Sequence, residues 1–129
     1  MADVAKHIVV GVDDDFRVRE SIESLVESAG FALLVFSSAE AFLQSGKLAE
    51  AICLITDVRM PGMDGIELQR RVRLECPKLP IIFITAHYDD DEIRWRALGG
   101  GAVKFMYKPF DAVDLLTAIN RAVHESPNE

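Results

Sequence analysis

Ile8-Val9-Val10-Gly11-Val12 runs without a break into Asp13-Asp14-Asp15. An unbroken apolar run of this length is the pattern of a strand covered on both faces, and the abrupt acids mark where it leaves the core. Outward from it, Val18, Ile22, Leu25, Val26 and Ala29 recur at helical spacing, and Gly30 falls where a left-handed helix end is wanted. A second apolar run, Phe31 to Phe36, leads into Ser37-Ser38-Ala39-Glu40, which reads as a capping box opening a short helix over Ser38 to Ser45. The third run, Ala51 to Thr56, ends at Asp57, and Pro61, Gly62 and Gly65 mark a turn-rich loop behind it. Asp64 is placed to cap the next helix, with Glu67 at its capping-box position. Pro77 and Pro80 separate that helix from a fourth strand, Ile81 to Thr85. Glu92 to Leu98 reads as a fourth helix stopped by Gly99-Gly100-Gly101, and Ala102 to Tyr107 as a fifth strand broken by Pro109. Asp111 caps a last helix that places Leu115, Leu116, Ile119 and Val123 on one face. Strands and helices alternating in this way predict right-handed βαβ units, hence an α/β fold with a doubly wound five-stranded parallel sheet.

Composition narrows the function. The 129 residues suit one domain, and half of them are hydrophobic, enough for an independent core. With 21 acidic residues against 14 Lys and Arg, the net charge of −7 removes the electrostatic basis for direct nucleic-acid binding. No apolar run reaches the roughly 20 residues that cross a bilayer, and Met1 to His7 lacks a signal-peptide core, so a cytoplasmic protein without membrane contact is expected. Cys53 and Cys76 fit neither a disulfide framework nor a zinc site, and Cys53 reads as core. Trp95 is expected to be partly core as well.

In an open parallel sheet, ligands bind beyond the carboxyl ends of the strands. Here those ends carry Asp13 and Asp14, Asp57, Thr85, and Lys108-Pro109. Three carboxylates brought to one crevice repel one another unless a cation offsets them. Oxygen ligands suit a hard ion, Mg²⁺ or Mn²⁺, and the lack of His and Cys among them argues against zinc.

The segments Val12-Asp13-Asp14-Asp15, Leu54 to Gly65 (LITDVRMPGMDG), Ile84-Thr85-Ala86 and Lys108-Pro109-Phe110 resemble, in order and separation, the receiver (response-regulator) domain of two-component signalling. The resemblance runs from about residue 6 to residue 124, leaving 125–129 as a tail. It implies a flavodoxin-like sheet of strand order 2-1-3-4-5 and a signalling switch that catalyses only its own phosphorylation and dephosphorylation. By the same resemblance, Asp57 takes a phosphoryl group from a sensor histidine kinase. Asp14, Asp57 and the backbone carbonyl of Arg59 ligate the metal, and Asp13 helps hold it through a water. Lys108 pairs with Asp57 before transfer and with a phosphoryl oxygen afterwards, while Thr85 reaches for another. Phe105 is the aromatic that turns inward when Thr85 moves, reshaping the face of helix 4, strand 5 and helix 5, through which homodimers are also implied. A cis Lys108–Pro109 bond belongs to the same pattern.

Plainer readings stand beside these. Acids after a strand also suit the start of a helix, and Asp15 is read that way and left outside the site. Asp57 could be a turn aspartate, Lys108 a solvated surface lysine, Thr85 a strand-end threonine and Phe105 simple core. His87 and Arg59 lie where family members vary, and neither side chain is given a catalytic role. Gly11, within a strand, suggests a loosened strand or a close neighbour. The rival function is a haloacid-dehalogenase-type phosphohydrolase, with Asp13 as nucleophile and Asp15 as acid/base, although the further acidic cluster such enzymes need is missing. A flavodoxin-like cofactor binder would want glycines and hydroxyls where the three acids stand. A docking-only module would not need the acids at all.

Overall fold

A computed structural model describes residues 7–86 and 90–125. In chain order the elements are β1 (Ile8–Val12), α1 (Phe16–Ser28), β2 (Ala32–Phe36), α2 (Ala39–Gln44), a 3₁₀ turn (Leu48–Glu50), β3 (Ala51–Asp57), α3 (Gly65–Glu75), β4 (Ile81–Thr85), α4 (Asp91–Gly99), β5 (Lys104–Tyr107) and α5 (Ala112–Glu125). The five strands form one sheet in the order β2-β1-β3-β4-β5, every neighbouring pair parallel. The sheet is therefore the doubly wound one that alternating strands and helices predict.

Alternate side chains of a strand point to opposite faces, and both faces are covered here. Val10, Val12, Leu54, Ile81 and Phe83 pack on one side with Phe42 of α2, Leu68 and Val72 of α3 and Ala97 of α4. Val9, Cys53, Ile55, Ile82 and Ile84 pack on the other with Ile22 and Val26 of α1 and Leu115 and Ile119 of α5. That is why β1 and β4 read as unbroken apolar runs: every residue in them is buried. β2 lies at an edge of the sheet and is only partly covered. At Gly11 a Cβ would lie 3.4 Å from Val35 Cγ1 and 3.5 Å from Ile22 Cγ2, so the glycine accommodates close neighbours.

Several local expectations change. Ser38, not Ser37, caps α2, accepting the Ala41 N–H, and the Glu40 carboxylate turns away to accept the N–H of Met63 at 2.8 Å. Asp64 caps α3 through the Glu67 N–H, but the Glu67 carboxylate pairs with Arg70 and Arg71, so neither capping box is reciprocal. β5 begins at Lys104 rather than Ala102, because the Ala102 N–H is still spent on Ala97 of α4. Of the three glycines, Gly99 is helical and only Gly101 takes a positive φ, +96°. Trp95 is not core but 76% exposed: α4 buries only Ala97 and turns the indole outward. His87 and residues 126–129 lie outside the described residues, and Glu125, expected to open the tail, is instead the last residue of α5.

Cys53 and Cys76 are free thiols, the first fully buried, the second half-buried. Burial pushes the Cys53 thiol up to about 12, so it holds its proton at neutral pH and is a poor nucleophile as well as an inaccessible one. Iodoacetamide is expected to alkylate native protein at Cys76 and to reach Cys53 only after denaturation, as read by peptide mass mapping. Equal labelling of the two in native protein would contradict this packing.

Candidate functional site

The parallel sheet delivers the carboxyl ends of all its strands to one edge. Asp13 directly follows β1, and Asp57 is the last residue of β3; both are buried, whereas Asp14 is exposed. One carboxylate oxygen from each of Asp13, Asp14 and Asp57 lies within 4.8 Å of the other two. Lys108, just past β5, places Nζ 3.0 Å from Asp13 Oδ2 and 3.0 Å from Asp57 Oδ2. The other Asp57 oxygen, Oδ1, accepts the Val58 N–H at 2.7 Å and the Arg59 N–H at 3.4 Å. Asp13 Oδ1 accepts the Asp15 N–H at 2.8 Å, and its carbonyl accepts Arg19 Nη1.

Burial pushes the Asp13 carboxyl above its ordinary range, and the nearby Asp57 charge adds to this; the Asp15 N–H and Lys108 only partly oppose it. Burial by itself would lower Lys108, but its hydrogen bonds to Asp13 and Asp57 outweigh that and hold the ammonium above its ordinary value. Asp13 and Asp57 share the Lys108 ammonium and Asp14 lies beside them, which leaves excess negative charge among the described residues at a site whose donors are all oxygen. That donor chemistry suits a hard divalent cation.

Thr85 ends β4 fully buried, and its carbonyl accepts the Lys108 N–H at 2.8 Å, so the threonine and the lysine are joined through backbone. The Lys108–Pro109 bond is cis. Phe105 is half-buried on β5, its ring 6.1 Å from Phe83 and 5.6 Å, edge-on, from Tyr107. Asp15 stands apart from the cluster: its carboxylate caps α1 by accepting the Arg17 N–H, as a helix-start aspartate does.

Three features escaped sequence reading. Arg59 extends its guanidinium to Asp90, the N-cap of α4, and so joins the loop after Asp57 to that helix. Gly65 lies so close to the acid-bearing strand that a Cβ there would meet the Asp57 carbonyl oxygen at 2.1 Å. The Glu40 bond to Met63 ties α2 to the same loop. In sequence Gly65 looked like one more turn glycine and Glu40 like a capping residue, and no local signal separates those roles. A groove of about 680 Å³, lined by Arg73, Lys78, Val103, Lys104 and Arg121 among others, lies between the α3–β4 turn, the start of β5 and α5 and includes none of these acids.

Residues 9–120 match the sequence profile of the response regulator receiver domain. The response regulator protein TmoT of Ectopseudomonas mendocina is 44% identical over 123 residues, covering 95% of this chain and 55% of that protein. Among solved structures, the response regulator StyR is 43% identical with a TM-score of 0.85, covering 95% of this chain and 61% of that one. The structure of FixJ-N is 36% identical with a TM-score of 0.82, and the match covers 100% of both chains. The chain thus spans about half the length of the curated relatives it matches. These likenesses, and the position of Asp15 outside the acid cluster, leave the phosphohydrolase reading of Asp13 and Asp15 without support.

Proposed function

The chain belongs to the response regulator receiver family, and on that footing we propose that Asp57 accepts a phosphoryl group from a phosphohistidine of a sensor histidine kinase. The observation that carries this is the Lys108 ammonium held 3.0 Å from both Asp13 and Asp57 where their strands end. The proposed receiver unit is 6–124, working in the cytoplasm; no described helix is long and apolar enough to cross a membrane.

An Asp57 oxygen forms a bond to phosphorus as the phosphorus–nitrogen bond breaks and its electron pair returns to the imidazole. The Val58 N–H fixes the carboxylate through Oδ1, so Asp57 meets the donor in one orientation. We assign Mg²⁺ (or Mn²⁺) to Asp14, Asp57 and the Arg59 backbone carbonyl, with Asp13 assisting through a water. When bound, the ion draws charge from the phosphoryl oxygens and lets anion approach anion. Lys108 exchanges its carboxylate partner for a phosphoryl oxygen, and the Thr85 hydroxyl donates to another.

Phosphorylation replaces the single charge of the Asp57 carboxylate with a phosphoryl group carrying about −1.5 to −2 and three strong acceptor oxygens, which favours conformations that bring donors toward it. Thr85 supplies such a donor, and its inward movement frees space for the Phe105 ring, already in contact with Phe83. The face of α4, β5 and α5 is then remodelled. Trp95, Leu98 and Val113 are exposed on its two helices, which supports its use by a partner, a second copy of the chain included. The switch acts on itself rather than on an external substrate.

The test is intact mass after incubation with acetyl phosphate and Mg²⁺. Wild-type protein is expected to gain one hydroxylamine-labile phosphate, absent after EDTA treatment and absent in Asp57→Asn. Phosphate retained in Asp57→Asn would remove Asp57 as the acceptor.

A further inference from the structure

The loop from Val58 to Asp64 carries the Arg59 carbonyl that the proposed site needs, yet little of its own backbone bonding holds it. At its root the Gly65 N–H donates to the Val58 carbonyl at 2.7 Å, and Met60 is buried in the core. Between them, residues 59–63 make no backbone–backbone hydrogen bond among the described residues. Two tethers reach the loop from other elements: the ion pair of the Arg59 side chain with Asp90, and the Glu40 carboxylate on the Met63 N–H. Asp57 Oδ1 holds the Val58 and Arg59 N–H groups at the start of the loop, and of these two longer tethers only the second grips backbone.

Glu40 stands in the first turn of α2, where an acid commonly complements the helix dipole. Here Ser38 already caps that turn, and the Glu40 side chain instead crosses to a loop 23 residues further on. The contact is close: Gly62 has φ +77°, and a Cβ on it would lie 2.5 Å from Glu40 Oε2. A charged acceptor on a backbone N–H makes one of the stronger protein hydrogen bonds. The Met63 N–H is also the main reason the Glu40 carboxyl sits below its ordinary range.

We propose that Glu40 is a positioning residue for the ion site: by fixing Met63 and Gly62 it holds the loop so that the Arg59 carbonyl is presented beside Asp14 and Asp57. The inference rests on the reading of those residues as ion ligands. Glu40 touches neither ion nor phosphoryl group and acts through the loop.

The experiment is a titration of the full chain with Mn²⁺ alone, following free Mn²⁺ by electron paramagnetic resonance. Glu40→Ala is expected to weaken binding about tenfold, the effect of losing one hydrogen bond to a charged acceptor. Glu40→Gln keeps an oxygen acceptor for Met63, a neutral one about half as strong, and is expected to lose only about threefold. That split separates the hydrogen bond from the charge, and a merely structural helix acid would not produce it. Should Glu40→Ala not fold, Glu40→Asp, one methylene too short for the same reach, takes its place. Unchanged Mn²⁺ affinity in Glu40→Ala, or equal losses in the Ala and Gln variants, would overturn the proposal. Asp14→Asn is run beside them and is expected to abolish binding; if it binds like wild type, the ion site itself is wrong, a failure distinct from that of Glu40.

Discussion

In the absence of divalent ions, Lys108→Met is expected to lower the free energy of unfolding by about 3 kcal/mol, the scale on which buried ion pairs fail when one partner is removed. The side chains involved are well covered: Lys108 is 17% exposed, Asp13 2% and Asp57 8%. Methionine keeps most of the stem volume, so the loss reports charge rather than a cavity. Without the ammonium, two buried carboxylates face each other with no other ion-pair partner among the described residues, and Asp13 is already disfavoured as an anion by its burial. For a chain of this size the melting temperature should fall by about 10 °C. Mg²⁺ should recover part of that loss, because a cation that binds the folded acids and not the unfolded chain stabilises by mass action. Thermal unfolding of both proteins, with EDTA and with Mg²⁺, measures each arm. A variant as stable as wild type in EDTA would mean that the ammonium does not offset these acids.

Gly65→Ala is expected to be as damaging for a different reason. Alanine is the better helix former by about 1 kcal/mol, and Gly65 is the first residue of α3, so propensity favours the substitution. Space forbids it: the new Cβ would lie 2.1 Å from the Asp57 carbonyl oxygen and 3.0 Å from Val58 Cα. Both are backbone atoms and cannot swing aside as a side chain would. The helix start must move away from β3, breaking the 2.7 Å bond from the Gly65 N–H to the Val58 carbonyl, at a cost of about 3 kcal/mol. The same movement shifts Asp57 relative to Lys108, and a displacement of about 1 Å at a reacting group costs on the order of a hundredfold in rate. Urea unfolding and the rate of phosphoryl uptake from acetyl phosphate report the two effects. Gly99→Ala is the control, since nothing lies within 4 Å of its added methyl, and it is expected to be neutral or stabilising by up to about 1 kcal/mol. Comparable losses in the two variants would show that the close approach at Gly65 is not what matters.

The difference between these glycines was not legible in the chain. Gly62 and Gly65 fall in one turn-rich segment and Gly99 to Gly101 in another, and composition ranks them alike. What separates them is distance to atoms remote in sequence: Glu40 for Gly62, Asp57 for Gly65, and nothing for Gly99. Glu40 and Glu67 show the same limit. Each sits where a capping box puts its acid, yet each carboxylate is taken by a competing donor, the Met63 N–H in one case and Arg70 with Arg71 in the other. Trp95 looked like partial core because a large apolar side chain usually is, but α4 meets the sheet side chiefly through Ala97 and leaves the indole in water.

The strand runs and the sheet class, by contrast, follow from local sequence, because a parallel strand covered on both faces must be apolar at every position. The position of Asp13, Asp57, Thr85 and Lys108 at strand ends follows from the same runs, and with it their common edge, since all strands point one way. Only the tertiary structure decided how those groups meet: that Lys108 lies between Asp13 and Asp57, and that Glu40 and Arg59 tether the loop behind Asp57. The physical reason is one of range. Burial pattern and strand direction are written residue by residue, whereas the partner of a carboxylate depends on which donors the folded chain brings within about 3 Å, where a hydrogen bond forms.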